Sequence, residues 1–168
     1  PEMQEAADFD VADIRLPVLR VAEWQDLKLG LLMHWGAYSQ WGVVESWSIC
    51  PEDENWCIRR GPHSGSYFNY LDAYNNLQTT FNPTQFEPER WAKAAKNAGM
   101  KYMVFTTKHH DGFCMFDSQF SPYTAANPAC PNSQSTHPDL TNSIFNAFRA
   151  QGLWIGAYFS KPDWHHPD

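Results

Sequence analysis

Apolar residues in this chain gather into three units, each a helical stripe followed by a short apolar run. The first, "DIRLPVLRVAEWQDLK", predicts a helix that starts or breaks near Pro17. It passes into "LGLLMHWG", a run from about Leu29 that predicts a buried strand ended by Gly36. The second, "FEPERWAKAAKNAGM", places Pro88 in a first turn, spaces Trp91, Ala94, Ala95 and Ala98 as i, i+3, i+4, i+7, and stops at Gly99. The buried strand "KYMVFTT" follows at once. The third, "DLTNSIFNAFRAQG", offers Asp139 or Thr141 as its cap, Ile144, Phe145 and Phe148 as its apolar face and Gly152 as its stop, and leads into the strand "LWIGAYFS".

The helix-to-strand links are very short, whereas the strand-to-helix links run to roughly fifty residues after the first strand and about thirty after the second. A further helix is predicted in "SYFNYLDAYNNL" within the first of these. In parallel α/β folds ligand sites gather beyond the carboxyl ends of the strands, where these long loops begin. No glycine-rich turn follows a strand, which disfavours a dinucleotide-binding fold. The expected fold class is therefore α/β, a TIM (β/α)8 barrel. Such a barrel needs about 250 residues, so the three strands amount to its first three βα units. On that expectation residues 1–168 are the amino-terminal part of a single catalytic barrel domain, with the remainder of the barrel absent from the chain.

Composition narrows the partners. A net charge of −7 with 43% hydrophobic residues fits a soluble globular domain. Lys and Arg are scattered singly or paired, as at Arg59 and Arg60, so no basic stripe tracks a nucleic-acid backbone. No 18-residue apolar run is present to span a membrane. The chain opens on "PEMQEAADFD", without an initiator Met or a basic-then-apolar leader, so a signal has been removed or the start is missing. Cys50, Cys57, Cys114 and Cys130 match no zinc pattern. "CPEDENWC" has the span of a short disulfide loop, although connectivity is not readable from sequence. A secreted, periplasmic or lysosomal setting is expected over a cytoplasmic one.

The chemistry concentrates at the strand ends. "TTKHHDGFC" sets His109 beside His110, and two imidazoles can face one site only if the strand stops there, because strand side chains alternate. His34 in "MHWG" and Tyr158 in "GAYFS" fall at the same rim. The chain holds eight Trp, and Trp35, Trp41, Trp47, Trp56 and Trp164 lie at or beyond the ends of apolar runs, where they suit either packing or a cleft that stacks sugar rings. Imidazole both donates and accepts hydrogen bonds, which matches sugar hydroxyls. Ligation of a divalent metal by His34, His109 and His110 is the rival, made awkward by the adjacency of the pair. Asp111 reads as a turn former that caps local N–H groups.

"KLGLLMHWGAYS", "FNPTQFEPERWAKAAKNAGMKYMVFTTKHHDGFCMF" and "DLTNSIFNAFRAQGLWIGAYFSKPDW" together resemble the amino-terminal half of the catalytic barrel of α-L-fucosidases, glycoside hydrolase family 29. The resemblance runs from about Glu23 to the end of the chain. It implies a retaining hydrolysis of terminal α-L-fucosyl linkages in glycans or glycoconjugates, by an Asp nucleophile and a separate acid/base, with no cofactor and no metal. Position by position it implies that His34, His109, His110 and Tyr158 bind fucose. The family's Glu-Trp pair is best matched by Glu45 and Trp47 of "VVESWS", where Ser46 intervenes; Glu54 and Trp56 of "ENW" are the fallback. Leu32 stands where many members carry Phe against the sugar's methyl group. The family's nucleophile ends a fourth strand, so nucleophile and acid/base are expected beyond Asp168, and Asp111, Asp117 and Asp163 are not assigned that role. The chain alone is then expected to be inactive, with the remaining barrel strands of the same protein as its partner and the oligomeric state open, a homo-oligomer included. A catalytically silent fucose-binding module, a metal-dependent barrel hydrolase and a purely structural fragment are the alternatives.

Overall fold

The computed structural model describes residues 20–51 and 54–166. Three strands, β1 (Gly30–Met33), β2 (Tyr102–Lys108) and β3 (Trp154–Phe159), form one parallel sheet in that order. Residues 20–26 are helical (α1), while Pro17 lies outside the described residues. Helix α2 (Tyr67–Asn75) occupies the long loop after β1 as expected, and the Ser66 side chain caps it by accepting from the Asn69 N–H. Helices α3 (Pro88–Asn97) and α4 (Leu140–Ala150) separate β1 from β2 and β2 from β3. Of the two expected caps for α4, Asp139 is the one used, accepting from the Asn142 N–H at 2.8 Å. Thr141 is instead buried and donates to Met115 O. Alternation of parallel strand and helix makes this an α/β structure.

The sheet has two unlike faces, because side chains alternate along each strand. Met103 and Phe105 are fully buried and share a core with Leu31, Met33, Ala92, Ala95, Ile144 and Phe148 of the flanking elements. The opposite face carries Gly30, Leu32, Tyr102, Val104, Trp154 and Gly156 in register. No helix layer covers it among the described residues, and Leu32 is 60% exposed. Of the two strands expected to be buried, β2 is, whereas β1 is only partly buried, as β3 is too. Trp24 of α1 closes the lower end of this face against Tyr102, ring centroids 5.6 Å apart. Gly30 makes room for that ring, since a Cβ there would lie 2.2 Å from it.

The stripe predicted on α3, Trp91, Ala94, Ala95 and Ala98, shares one apolar face, but only part of it is buried. Pro88, Ala92 and Ala95 are buried, whereas Ala94 and Ala98 are exposed. Those two alanines, with Leu31, Met33, Trp35 and Met100, line an open apolar groove of about 540 Å³ beside β1. In the loops, Cys50 is paired with Cys57, and Cys114 and Cys130 are buried thiols.

Candidate functional site

The β2 terminus sets the geometry. The β2 to β3 register shifts between Thr106 and Lys108, and the strand ends at Lys108. The chain then turns at Gly112, whose φ of +75° is a left-handed conformation that glycine adopts without a Cβ clash. His109 and His110 thereby escape strict alternation, and their ring centroids lie 4.3 Å apart at the carboxyl rim. His34 follows β1 directly and stands 6.0 Å from the His109 ring. Tyr158, near the end of β3, lies 5.4 Å from His34 and 5.8 Å from His109.

Glu45 joins these rings. It has a φ of 49°, an uncommon conformation for a side-chain-bearing residue that concentrates at functional sites. Its Oε1 lies 3.0 Å from His34 Nδ1 and its Oε2 3.1 Å from His109 Nε2. The His34 contact is close but makes no hydrogen bond. Trp47 Nε1 donates to Glu45 Oε2 at 2.7 Å, and the indole packs against His110 at 4.8 Å. The serine that separates Glu45 from Trp47 is no obstacle. Ser46 is fully buried and turns inward to His109 Nδ1, which leaves its two neighbours on the mouth side.

All six residues expected at the site thus meet at one rim, but they are not equivalent. His109 is 2% exposed, with Ser46 at one ring nitrogen and Glu45 at the other. A carboxylate offers no proton here, so the ring hydrogen belongs on Nε2, and Nδ1 accepts from Ser46. Burial, reinforced by the neighbouring His110, pushes His109 down to about 4, so the imidazole is neutral at physiological pH. His110 is also lowered, again by burial first. Its Nδ1 meets Ser160 Oγ, and that hydroxyl donates its single proton to Pro162 O at 3.2 Å. Ser160 therefore accepts from His110 Nδ1–H, and His110 Nε2 is left as an acceptor.

The loop after β3 completes the rim. Trp164 lies 4.8 Å from His110 and 5.8 Å from Trp47. Asp163 anchors that loop: its Oδ2 accepts from Lys108 Nζ at 3.0 Å, and its Oδ1 accepts from the His165 and His166 N–H groups at 3.1 Å each. Beneath the pair, Asp111 accepts from Phe113 N–H, as a turn former does, and also from Tyr74 Oη at 2.8 Å. Burial raises Asp111 to about 6. Tyr38 packs edge-on to His109, its hydroxyl buried without a partner among the described residues.

The sequence profile of the α-L-fucosidase family matches residues 3–168. The chain belongs to the α-L-fucosidase family. Tissue α-L-fucosidase of Rattus norvegicus is 30% identical over 151 residues, an alignment that covers 86% of this chain and 30% of the relative. α-L-Fucosidase isoenzyme 1 from Paenibacillus thiaminolyticus is 40% identical with a TM-score of 0.64, over 83% of this chain and 28% of that one. A GH29 α-L-fucosidase from Bacteroides thetaiotaomicron, trapped as a covalent intermediate with 2-fluoro-fucosyl fluoride, is 30% identical with a TM-score of 0.65, over 98% of this chain and 33% of that one. This fucosidase-family chain spans about 30% of the length of the curated relatives it matches.

Sequence reasoning did not single out Ser46 and Ser160, the two residues that fix the histidine rings in this fucosidase-family fold. A serine carries no periodic signal, and its role depends on what the tertiary fold places beside it. Nor did it place Trp35 and Trp41 away from the mouth. Trp35 packs among Phe81, Phe86 and Trp91, and Trp41 among Tyr70, Tyr74 and His63. The metal alternative also changes membership. The donors that converge are those of His34, Glu45 and His109, all within 4.8 Å of one another, and His110 is not among them.

Proposed function

We propose that this chain supplies the fucose-holding part of a retaining α-L-fucosidase that releases terminal α-L-fucosyl groups from glycans or glycoconjugates. The observation that carries the reading is the convergence of His34, Glu45, Trp47, His110 and Tyr158 on one rim, backed by a buried, neutral His109 that positions Glu45. Sugar hydroxyls need both donors and acceptors. Glu45 and His110 Nε2 accept, Tyr158 Oη does either, and Trp47 presents an apolar ring. Leu32, two residues before His34 and exposed on the helix-free sheet face, is proposed to meet the methyl group of fucose.

Residues 1–168 are proposed to be about the first three βα units of a (β/α)8 barrel, completed by further strands of the same protein. Two features support this: the helix-free sheet face with exposed Leu32, and the apolar groove beside β1, which has the character of a seat for a further helix. The carboxylate pair of a retaining mechanism, about 5 Å apart, is assigned to those later strands. Asp111 is buried under Tyr74, and both Asp163 oxygens are already engaged, Oδ2 by Lys108 Nζ and Oδ1 by the His165 and His166 N–H groups. The Cys50–Cys57 pair suits an oxidising compartment. Among the described residues no helix is long and apolar enough to cross a membrane.

The test uses the full-length polypeptide and an aryl α-L-fucoside. His34→Ala and Glu45→Gln are each expected to lower kcat/KM by about 10- to 100-fold, the equivalent of roughly 1 to 3 kcal/mol of lost polar contacts, while the melting temperature holds. Unchanged kinetics with a lowered melting temperature would make these packing residues. Fucose binding without turnover in the wild type would indicate a silent binding module.

A further inference from the structure

The loop after β1 builds one device twice. Glu45-Ser46-Trp47 and Glu54-Asn55-Trp56 each set a glutamate two residues before a tryptophan, and in both the indole Nε1–H donates to that glutamate's Oε2, at 2.7 and 2.6 Å. Only the first glutamate reaches the histidines. The second pair lies outward, where Trp56 leans on Trp47 with ring centroids 5.5 Å apart. Trp56 is 53% exposed, yet its ring is oriented rather than loose: the indole N–H is bound, and the Cys50–Cys57 disulfide closes the chain at the next residue. Arg59 donates to Cys50 O at 3.0 Å and ties the loop a second time.

Between the two indoles opens a depression of about 340 Å³, lined also by Val44, Ser48, Ile58 and Arg60. Ser48 is 5% exposed, and its Oγ has no hydrogen-bond partner among the described residues. A buried hydroxyl without a partner carries a desolvation cost that a ligand hydroxyl would relieve. The lining thus combines an oriented aromatic face, aliphatic walls, one unsatisfied hydroxyl and one guanidinium. That mixture matches a pyranose, which is apolar on its C–H face and ringed by hydroxyls.

We propose that Trp47, Trp56 and Ser48 form the subsite for the saccharide to which the fucosyl group is attached, the leaving group of the reaction. The proposal rests on the fucosidase reading and adds to it the recognition of the sugar on the far side of the scissile bond. Trp47 is the divider. One side packs on His109 and His110, and the other opens to Trp56, so a sugar joined to a fucose at the histidines crosses Trp47 to reach the depression. Contacts made there act on leaving-group sugars and not on fucose itself, so they discriminate substrates through kcat/KM.

The experiment compares two substrates of the full-length polypeptide: a fucosylated disaccharide and α-L-fucosyl fluoride, whose leaving group is a single atom. For Trp56→Ala the ratio of kcat/KM on the disaccharide to kcat/KM on the fluoride should fall about tenfold, as for loss of an aromatic contact residue. Trp56→Phe should recover most of it, and Ser48→Ala should lower the ratio about three- to tenfold. An unchanged ratio in Trp56→Ala would overturn the proposal. So would an equal loss on both substrates with a lowered melting temperature, which would make Trp56 a packing residue covered elsewhere in the protein. A wild type that turns over neither substrate would remove the fucosidase reading, and the subsite with it.

Discussion

Gly112→Ala tests the turn that delivers the histidine pair to the rim. At φ +75° an alanine carries a left-handed backbone cost of about 1 to 2 kcal/mol. Its Cβ would also fall 2.4 Å from Asp163 Oδ1 and 2.9 Å from His165 Cβ. A carbon and an oxygen normally approach to about 3.3 Å, so Asp163 has to retreat by roughly 1 Å. Retreat is costly, because the carboxylate holds Lys108 Nζ at 3.0 Å and two backbone N–H groups at 3.1 Å. The Lys108 side chain is 5% exposed, so it would lose its anion while buried; the Asp163 side chain is 30% exposed, which lets water soften the loss. We take about 2 kcal/mol for this part, below the roughly 3 to 5 kcal/mol typical of a broken, fully buried pair. The total expected for Gly112→Ala is then about 3 to 4 kcal/mol. It should come with a drop in kcat/KM, because the displaced loop carries Trp164. Urea unfolding of the full-length protein with Gly112→Ala, Asp163→Ala and the double variant isolates the cause. If the clash with Asp163 matters, that network is lost only once in the double variant, whose cost falls short of the sum of the singles by about 2 kcal/mol. Costs that add to within about 0.5 kcal/mol would refute the account.

Two further outcomes follow from the charges around the rim. The unfolded chain protonates His109 near its ordinary value of 6.5 and the folded chain only at about 4, so this group lowers stability as pH falls between those values; Asp111, raised to about 6 from 3.8, acts in the opposite sense between 6 and 3.8. The two largely offset, and Asp111→Asn, which keeps a partner for Tyr74 Oη, should make the melting temperature fall more steeply than in wild type from pH 6.5 to 4; parallel curves would show that the two groups are not so coupled to folding. As for metal, His34 and Glu45 are expected to serve the sugar, with His109 as the support of Glu45, so dialysis of the full-length protein against a chelator should leave turnover intact, and a stoichiometric divalent ion whose removal abolishes activity would overturn that expectation.

The parts of this fold legible in the sequence are those fixed by local periodicity. The end of β2 at Lys108 is one: two adjacent imidazoles cannot share a site on a continuing strand, so "KHHDG" had to be a turn, and Gly112 supplied it. Asp111 as a turn cap is another. The stripe on α3 was legible as one apolar face but not as to its neighbour: Trp91, Ala94, Ala95 and Ala98 line the groove beside β1, and of these Ala95 alone is also buried in the core. The Glu45 and Trp47 geometry lay further out of reach. It depends on a positive φ at Glu45 and an inward Ser46, and neither residue type announces either feature.

The same limit explains why the histidine pair could be found from sequence but not divided. In "HH" the two rings are chemically identical, and only tertiary partners distinguish them. Ser46 arrives from the loop after β1 and donates to His109 Nδ1, which directs the His109 proton through Nε2 to Glu45. Ser160 arrives from the end of β3, sends its own proton to Pro162 O, and so takes one from His110 Nδ1. One serine acts as donor and the other as acceptor, so neighbouring histidines hold opposite tautomers. His109, closed off and neutral, is set as a support for the Glu45 carboxylate, and His110 is set as an acceptor at the mouth, between Trp47 and Trp164. A rim made from three successive strand ends can impose this division because the segments after β1 and β3 each bring a hydroxyl to the pair that ends β2; a His pair on an isolated turn would exchange protons and roles freely with water.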